Sequence, residues 1–260
     1  MSDELRLRII SGVLLAALAI FIDWVGGILF TTFLCLVAGI LLFEWLRMLE
    51  TSSDILGKCF YWLFLLAGIG ALELDAVNEA YAAAAFGTIC LFLWSLVYGN
   101  SKLACFGIAY ALLPVIALYA LRNHSSGDGG MLVFGLFMLV WATDSAAYFV
   151  GRSVGGPKLW PAVSPNKTWS GFFGGLFGGA VAAVIAAFFV NWIGVLAAFF
   201  GGALVSVTSQ LGDLFESLLK RRSGVKDSGS IIPGHGGVMD RVDGLIFAAV
   251  AAQLLIYLSA

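Results

Sequence analysis

Charge is what this 260-residue chain has least of. Asp, Glu, Lys and Arg together make up 12% of it, against about a quarter in a soluble domain. With 61% hydrophobic residues and a mean hydropathy of +0.99, that scarcity excludes a water-solvated globule and points to an integral membrane protein with little mass outside the bilayer. Cysteine and histidine are equally sparse, at four and two residues. Cys35, Cys59, Cys90 and Cys105 lie in or beside apolar runs with no CxxC pair and no nearby histidine, as small buried hydrophobes do and zinc ligands or disulfides do not. The apolar runs also lack the period-two alternation of a lipid-facing strand, which excludes a closed barrel. There is no internal repeat, no low-complexity tail and no separate soluble domain.

What is present is a series of continuous apolar runs. A helix needs ~20 such residues to cross a bilayer, and nine candidates lie near 7–23, 25–46, 57–72, 79–99, 103–121, 130–151, 171–190, 192–212 and 243–259. The expected fold class is all-α, a polytopic integral membrane protein of about nine transmembrane helices. The first run sits behind Arg6 and Arg8 as a signal peptide would, but more spans follow and no cleavage site is evident, so it is expected to be a retained helix. With nine spans and a cytoplasmic N-terminus, thirteen of the fourteen Lys and Arg residues fall inside and only Arg122 outside. That asymmetry is the positive-inside bias, and removing one span would reverse the side of every later loop.

The chain is expected to form one membrane domain, 1–260, of uneven chemistry. Residues 1–129 carry little polar chemistry inside their helices and suit a scaffold. From 130 onward polar residues enter the apolar runs, and the two longest cytoplasmic connections, 151–170 and 213–243, make 130–260 the expected catalytic half. In WATDSAAYFVGR, Asp144 lies about two turns before Gly151, roughly 10 Å inside the helix end. A carboxylate there is costly unless paired, hydrated or bound to a cation, and is a functional candidate by default. The alternative is a structural pair with Arg or Lys.

Next, GGPKLWPAVSPNKTWSG holds two prolines and a Ser-Pro step that forbid a continuous helix. This stiff re-entrant or surface loop presents Lys158, Ser164, Lys167 and Thr168, which suit an anionic ligand, although a lysine there also satisfies the inside-positive bias. Gly171, Gly174, Gly175, Gly178 and Gly179 follow in a small-xxx-small pattern for close helix packing, with a homodimer contact as the alternative. In VSVTSQLGDLFESLLKRR, Ser206, Ser209, Gln210, Asp213, Ser217 and Lys220 recur at helical spacing, so a polar stripe climbs one helix face. An interhelical hydrogen-bond seam accounts for the serines better than for Asp213.

The segment from Ser217 to Asp243 concentrates charge and glycine between apolar runs. Lys220, Arg221, Arg222 and Lys226 suit polyphosphate or anionic lipid headgroups. Gly234, Gly236 and Gly237 allow backbone amides to approach a phosphate, with His235 among them either a ligand contact or an ordinary loop residue. Asp240 and Asp243, spaced i, i+3, put two hard oxygen donors on one helix face. Helix capping, with Arg241 pairing one of them, explains one of these acids but not both.

The run SLLKRRSGVKDSGSIIPGHGGVMDRVD resembles the signature of the phosphatidate cytidylyltransferases, also called CDP-diacylglycerol synthases. It matches at Ser217, Lys220, Arg221, Lys226, Asp227, Pro233, His235, Gly236, Gly237, Asp240, Arg241 and Asp243. DSAAYFVGR and SPNKTWSG resemble further shared segments, so the likeness is close from about Trp141 onward. Ser170 departs from it, since the family commonly has glutamate after KTW.

The resemblance implies conversion of CTP and phosphatidic acid to CDP-diacylglycerol and pyrophosphate, with Mg2+ required, at the cytoplasmic face of the inner membrane and with no nucleic-acid partner. The attacking group is already a phosphate anion, so catalysis can rest on positioning and charge neutralisation, without a Ser/His/Asp constellation. Asp213, Asp240 and Asp243 would hold the metal, with Asp144 as ligand to a second cation. Lys167, Lys220, Arg221 and Lys226 would neutralise phosphates, and His235 with its glycines would line the nucleotide loop. Two alternatives remain open at this point. One is a CTP-dependent kinase of a polyprenol or phytol. The other is an ion-coupled transporter using Asp144 and Asp213, which leaves the glycine-and-basic loop unexplained.

Overall fold

The computed structural model describes residues 3–49, 55–98, 102–190, 192–232 and 236–259, with side chains from residue 10 onward. Its elements in chain order are α1 (Asp3–Val25), α2 (Gly27–Met48), α3 (Ile55–Glu73), α4 (Val77–Tyr98), a 3-10 turn (Ala104–Phe106) leading into α5 (Gly107–Arg122), α6 (Gly129–Val154), β1 (Lys158–Trp160), β2 (Ser164–Thr168), α7 (Trp169–Ala187), α8 (Val195–Arg222) and α9 (Met239–Ser259). Among the described residues, eight spans from α2 to α9 are long and apolar enough to cross a bilayer, and α1 adds the apolar stretch Ile10–Val25. The protein is an all-α polytopic membrane protein. The outward helix faces carry Trp24, Ile28, Val97, Phe200 and Leu258, all largely exposed. An aqueous surface does not display that many large apolar groups, whereas lipid accommodates them.

Helix ends follow local chemistry. Gly26, at φ 65, separates α1 from α2. Asp75 takes a left-handed φ of 57 in the turn between α3 and α4, a conformation Asp tolerates better than most residues. α5 continues through Pro114.

The chain divides into two compact units. The first comprises residues up to Ala120 together with Val225–Arg241, and the second comprises Leu121–Gly224 with Val242–Ala260. In the first unit, α3 packs along α4 and α2 touches both α1 and α3. Trp45 is buried, donates its indole N–H to the Ala104 carbonyl at 3.2 Å and lies against Tyr110 with ring centroids 4.6 Å apart.

The second unit is built on α7, which packs on α6 and on α8. The predicted glycine face makes these contacts. A Cβ on Gly171 would lie 2.8 Å from the Ala147 carbonyl oxygen, one on Gly175 3.0 Å from the Thr143 carbonyl oxygen, and one on Gly174 against Val150. α6 therefore lies backbone to backbone on α7. It also runs three residues past its expected end at Gly151, because Gly151 packs against Gly171 rather than breaking the helix. The connection read as a stiff loop is a short antiparallel hairpin, β1 pairing β2 through Lys158 with Thr168 and Trp160 with Ser164. Thr168 then caps α7, its Oγ1 accepting from Gly171 N at 3.1 Å.

Candidate active site

Three of the four predicted aspartates fall within the second unit, each on a different helix. Asp144 is ten residues before the end of α6, ~15 Å along the axis. Asp213 is nine residues before the end of α8. Asp243 is in the second turn of α9. Strand β2 delivers Lys167, whose Nζ forms an ion pair with Asp213 Oδ2. The other Asp213 oxygen faces Ser217 Oγ at 3.4 Å. The two partners of the ion pair are 28% and 32% exposed, so the pair is only partly enclosed by the protein. Asp144 and Asp243 both lie within the electrostatic reach of Asp213 and of Lys167. Among the described residues Asp213 alone pairs with the ammonium, and Asp144 and Asp243 lie in the same unit within range of both charges.

Close backbone approach puts the acids there. A Cβ on Gly212 would lie 2.6 Å from the Asp243 carbonyl oxygen, and one on Gly244 would lie 2.6 Å from Ser209 Oγ. Small residues on both helices bring α9 against α8 at this level. Asp243 Oδ1 accepts from Gly244 N at 2.8 Å. Below the acids a neutral seam ties the helices together. Thr143 Oγ1 donates to Ser206 Oγ at 3.0 Å, Ser206 Oγ to the Gly175 carbonyl at 3.1 Å, and Gln210 Nε2 to the Phe172 carbonyl at 3.2 Å. The polar stripe on α8 therefore has two functions: Ser206 and Gln210 join helices, and Asp213 faces the lysine. Arg152 donates to Tyr148 Oη at 2.7 Å, and the ion pair formed in this region is Lys167 with Asp213, not an arginine with Asp144.

Lys220 pairs with Glu216 at 3.1 Å, one turn earlier, and Glu216 is completely buried. Part of its charge thus neutralises an interior acid. Arg221 is exposed and Ser164 half-buried. Ser170 donates to the Gly155 carbonyl and shares a hydrogen bond with Thr168 at 3.0 Å, so it fastens the end of α6 to the start of α7.

The first unit holds the signature loop. Lys226 and Arg241 are exposed. Gly236, at φ 82, bridges Ile232 through a hydrogen bond from Ile232 N to the Gly236 carbonyl at 2.9 Å. Gly237 is buried. Gly234 and His235 lie outside the described residues. Asp240, the fourth predicted aspartate, is 8% exposed. Its Oδ2 accepts from Ser228 N at 2.8 Å, Ser228 Oγ at 2.9 Å and Gly237 N at 2.9 Å. That oxygen organises the loop.

Sequence reasoning missed Glu44. It lies on α2, in the half expected to carry little polar chemistry, and is 1% exposed. Its carboxylate accepts from Val238 N, Met239 N and Ser228 Oγ at 2.9, 2.8 and 3.0 Å. A lone glutamate inside the apolar run LLFEWL was the available signal.

Comparison with known proteins identifies the family. The profile of the Cytidylyltransferase family matches residues 6–259. A protein of Brucella suis biovar 1 (strain 1330) named phosphatidate cytidylyltransferase is 39% identical over 259 residues, covering 98% of this chain and 93% of the relative. One of the same name from Bacillus subtilis (strain 168) is 34% identical over 255 residues, 94% of each chain. A third, from Staphylococcus haemolyticus (strain JCSC1435), is 40% identical over 150 residues, covering 57% of this chain and 56% of the relative. Similarity that spans the first unit as well as the second is more than a shared motif, and by it the chain belongs to the cytidylyltransferase family.

Proposed function

We propose that this protein is a phosphatidate cytidylyltransferase, transferring CMP from CTP to phosphatidic acid to give CDP-diacylglycerol and pyrophosphate. The observation that carries the reading is the partly exposed Lys167–Asp213 ion pair, with Asp144 on α6 and Asp243 on α9 in the same unit and within electrostatic range. The relatives' names indicate which nucleotide and which lipid such a site would serve.

The donor set fits a magnesium ion. The carboxylates of Asp213, Asp243 and Asp144 are hard oxygen donors. Among the described residues no three acidic, histidine or cysteine side chains converge as a ready-made ligand cage. Mg2+ takes one or two carboxylates and completes its shell with water and substrate phosphate. Asp213 and Asp243 are the proposed holders, with Asp144 beside them. When bound, the ion would polarise the α-phosphoryl group and neutralise the departing pyrophosphate.

The chain's residues supply charge and position. A phosphate oxygen of phosphatidic acid forms a bond to the α-phosphorus of CTP, and the bond from that phosphorus to the α,β-bridging oxygen breaks. The attacking oxygen is already anionic, so no proton need be removed and no strong general base is required. Lys167 can turn from Asp213 to a phosphate oxygen, and Arg221 in the same unit is an exposed cation suited to phosphate, as Lys226 and Arg241 are within the first unit. Lys220 shares its charge with Glu216, and Asp240 acts by shaping the loop. Thirteen inside cations against one outside favour a cytoplasmic N-terminus and a site open to the cytoplasm and the inner leaflet.

The test is to incubate the purified protein in mixed micelles with CTP, phosphatidic acid and magnesium and to identify products by mass spectrometry. CDP-diacylglycerol with pyrophosphate is expected. CDP with a newly phosphorylated lipid alcohol would mean a kinase instead.

A further inference from the structure

We infer that Glu44 is a positioning residue for the proposed cytidylyl transfer, a buried carboxylate that holds Ser228 and Gly229 against Gly237, Val238 and the start of α9. The inference rests on the proposed function for its kinetic consequence, but not for its structural one.

Both oxygens of Glu44 are in use, and by different partners. Oε1 takes Val238 N, while Oε2 takes Met239 N and Ser228 Oγ. Val238 and Met239 lead into the first turn of α9, where unsatisfied N–H groups and the helix dipole favour an anion. Ser228 Oγ also lies 2.9 Å from Asp240 Oδ2. One hydroxyl proton is therefore shared by two buried carboxylates, which locks the two ends of the loop to α2 through a single side chain. The glycines of the loop fit the same arrangement. A Cβ on Gly229 would lie 2.7 Å from Glu44 Oε1, and one on Gly237 would fall on both Glu44 and Ser228 Oγ. Gly237 is thus needed for close approach to this carboxylate. The segment so held runs between Lys226 and Arg241, both assigned to phosphate.

A carboxylate is required here rather than any polar group of that size. Glutamine has one acceptor oxygen and an amide that can only donate. At position 44 it would satisfy one backbone N–H and set its own NH2 against the other. A residue that merely filled space, or closed the loop by a single bond, would tolerate the exchange.

The test compares wild type, Glu44→Gln and Glu44→Ala in full-length protein in detergent micelles. Melting temperature, hydrogen–deuterium exchange of the amides between 228 and 239, and steady-state transfer from CTP to phosphatidic acid would be measured. In Glu44→Gln the melting temperature should change little, the exchange of Val238 and Met239 should quicken by about tenfold, and kcat should fall by at least about tenfold. KM for phosphatidic acid should stay near that of wild type, and Glu44→Ala should be no better than Glu44→Gln. Wild-type exchange and wild-type kcat in Glu44→Gln would overturn the inference. So would a fall in melting temperature with unchanged kcat per folded molecule, since that is a purely structural role. If wild type itself forms no CDP-diacylglycerol, the proposed function fails, and the exchange data still decide whether Glu44 holds the loop.

Discussion

Replacing Asp243 by asparagine separates a functional acid from a structural one, because the two roles predict opposite effects on the fold. Its Oδ1 accepts from Gly244 N at 2.8 Å, and asparagine keeps that acceptor and the shape. What it loses is a carboxylate within electrostatic range of the Lys167–Asp213 pair. Relief of like-charge repulsion should leave the melting temperature unchanged or raise it, by on the order of 1 kcal/mol in stability. Removing a charge placed for the transferring phosphoryl group should cost at least about 100-fold in kcat, or ~2.7 kcal/mol in the barrier. The assay is transfer of radiolabel from CTP into lipid in mixed micelles, beside a thermal melt of the same sample. Turnover within about twofold of wild type would remove Asp243 from the site. Failure to fold or insert would make it a structural acid and refute the reasoning directly.

Other consequences concern the same neighbourhood. Lys167→Gln leaves Asp213 without its cation, and transfer should fall by about 100-fold or more with a higher KM for CTP; an unchanged KM would show that the lysine only balances Asp213. Gly212→Ala pushes a methyl group to 2.6 Å from the Asp243 carbonyl oxygen. It should destabilise by about 1–3 kcal/mol and reduce transfer together, read as a lower melting temperature. Thr168→Ala removes the cap on α7 and should lower stability by ~1 kcal/mol in the same melt.

The helices were legible in the sequence because lipid imposes a long apolar stretch on every span, and among the described residues each of the nine apolar runs lies mainly in a helix. The candidate site was legible where Asp144 and Asp213 interrupt those runs as carboxylates in the wrong solvent, and at Asp243 through its spacing to Asp240. What escaped was everything fixed by distant partners. Glu44 bonds to residues 184 to 195 positions away, and no local pattern announces such a contact. The same holds for Asp240, whose spacing to Asp243 suggested a shared metal but whose Oδ2 is occupied by Ser228 and Gly237. The hairpin at 158–168 was masked by its prolines, which signal a turn but not the pairing that presents Lys167.

The most direct test of cytidylyl transfer is to follow CTP labelled separately at the α- and γ-phosphorus in the presence of phosphatidic acid and magnesium. The α-label should enter the lipid fraction while the γ-label leaves as pyrophosphate. Lipid carrying the γ-label, with the α-label left in CDP, would contradict the assignment.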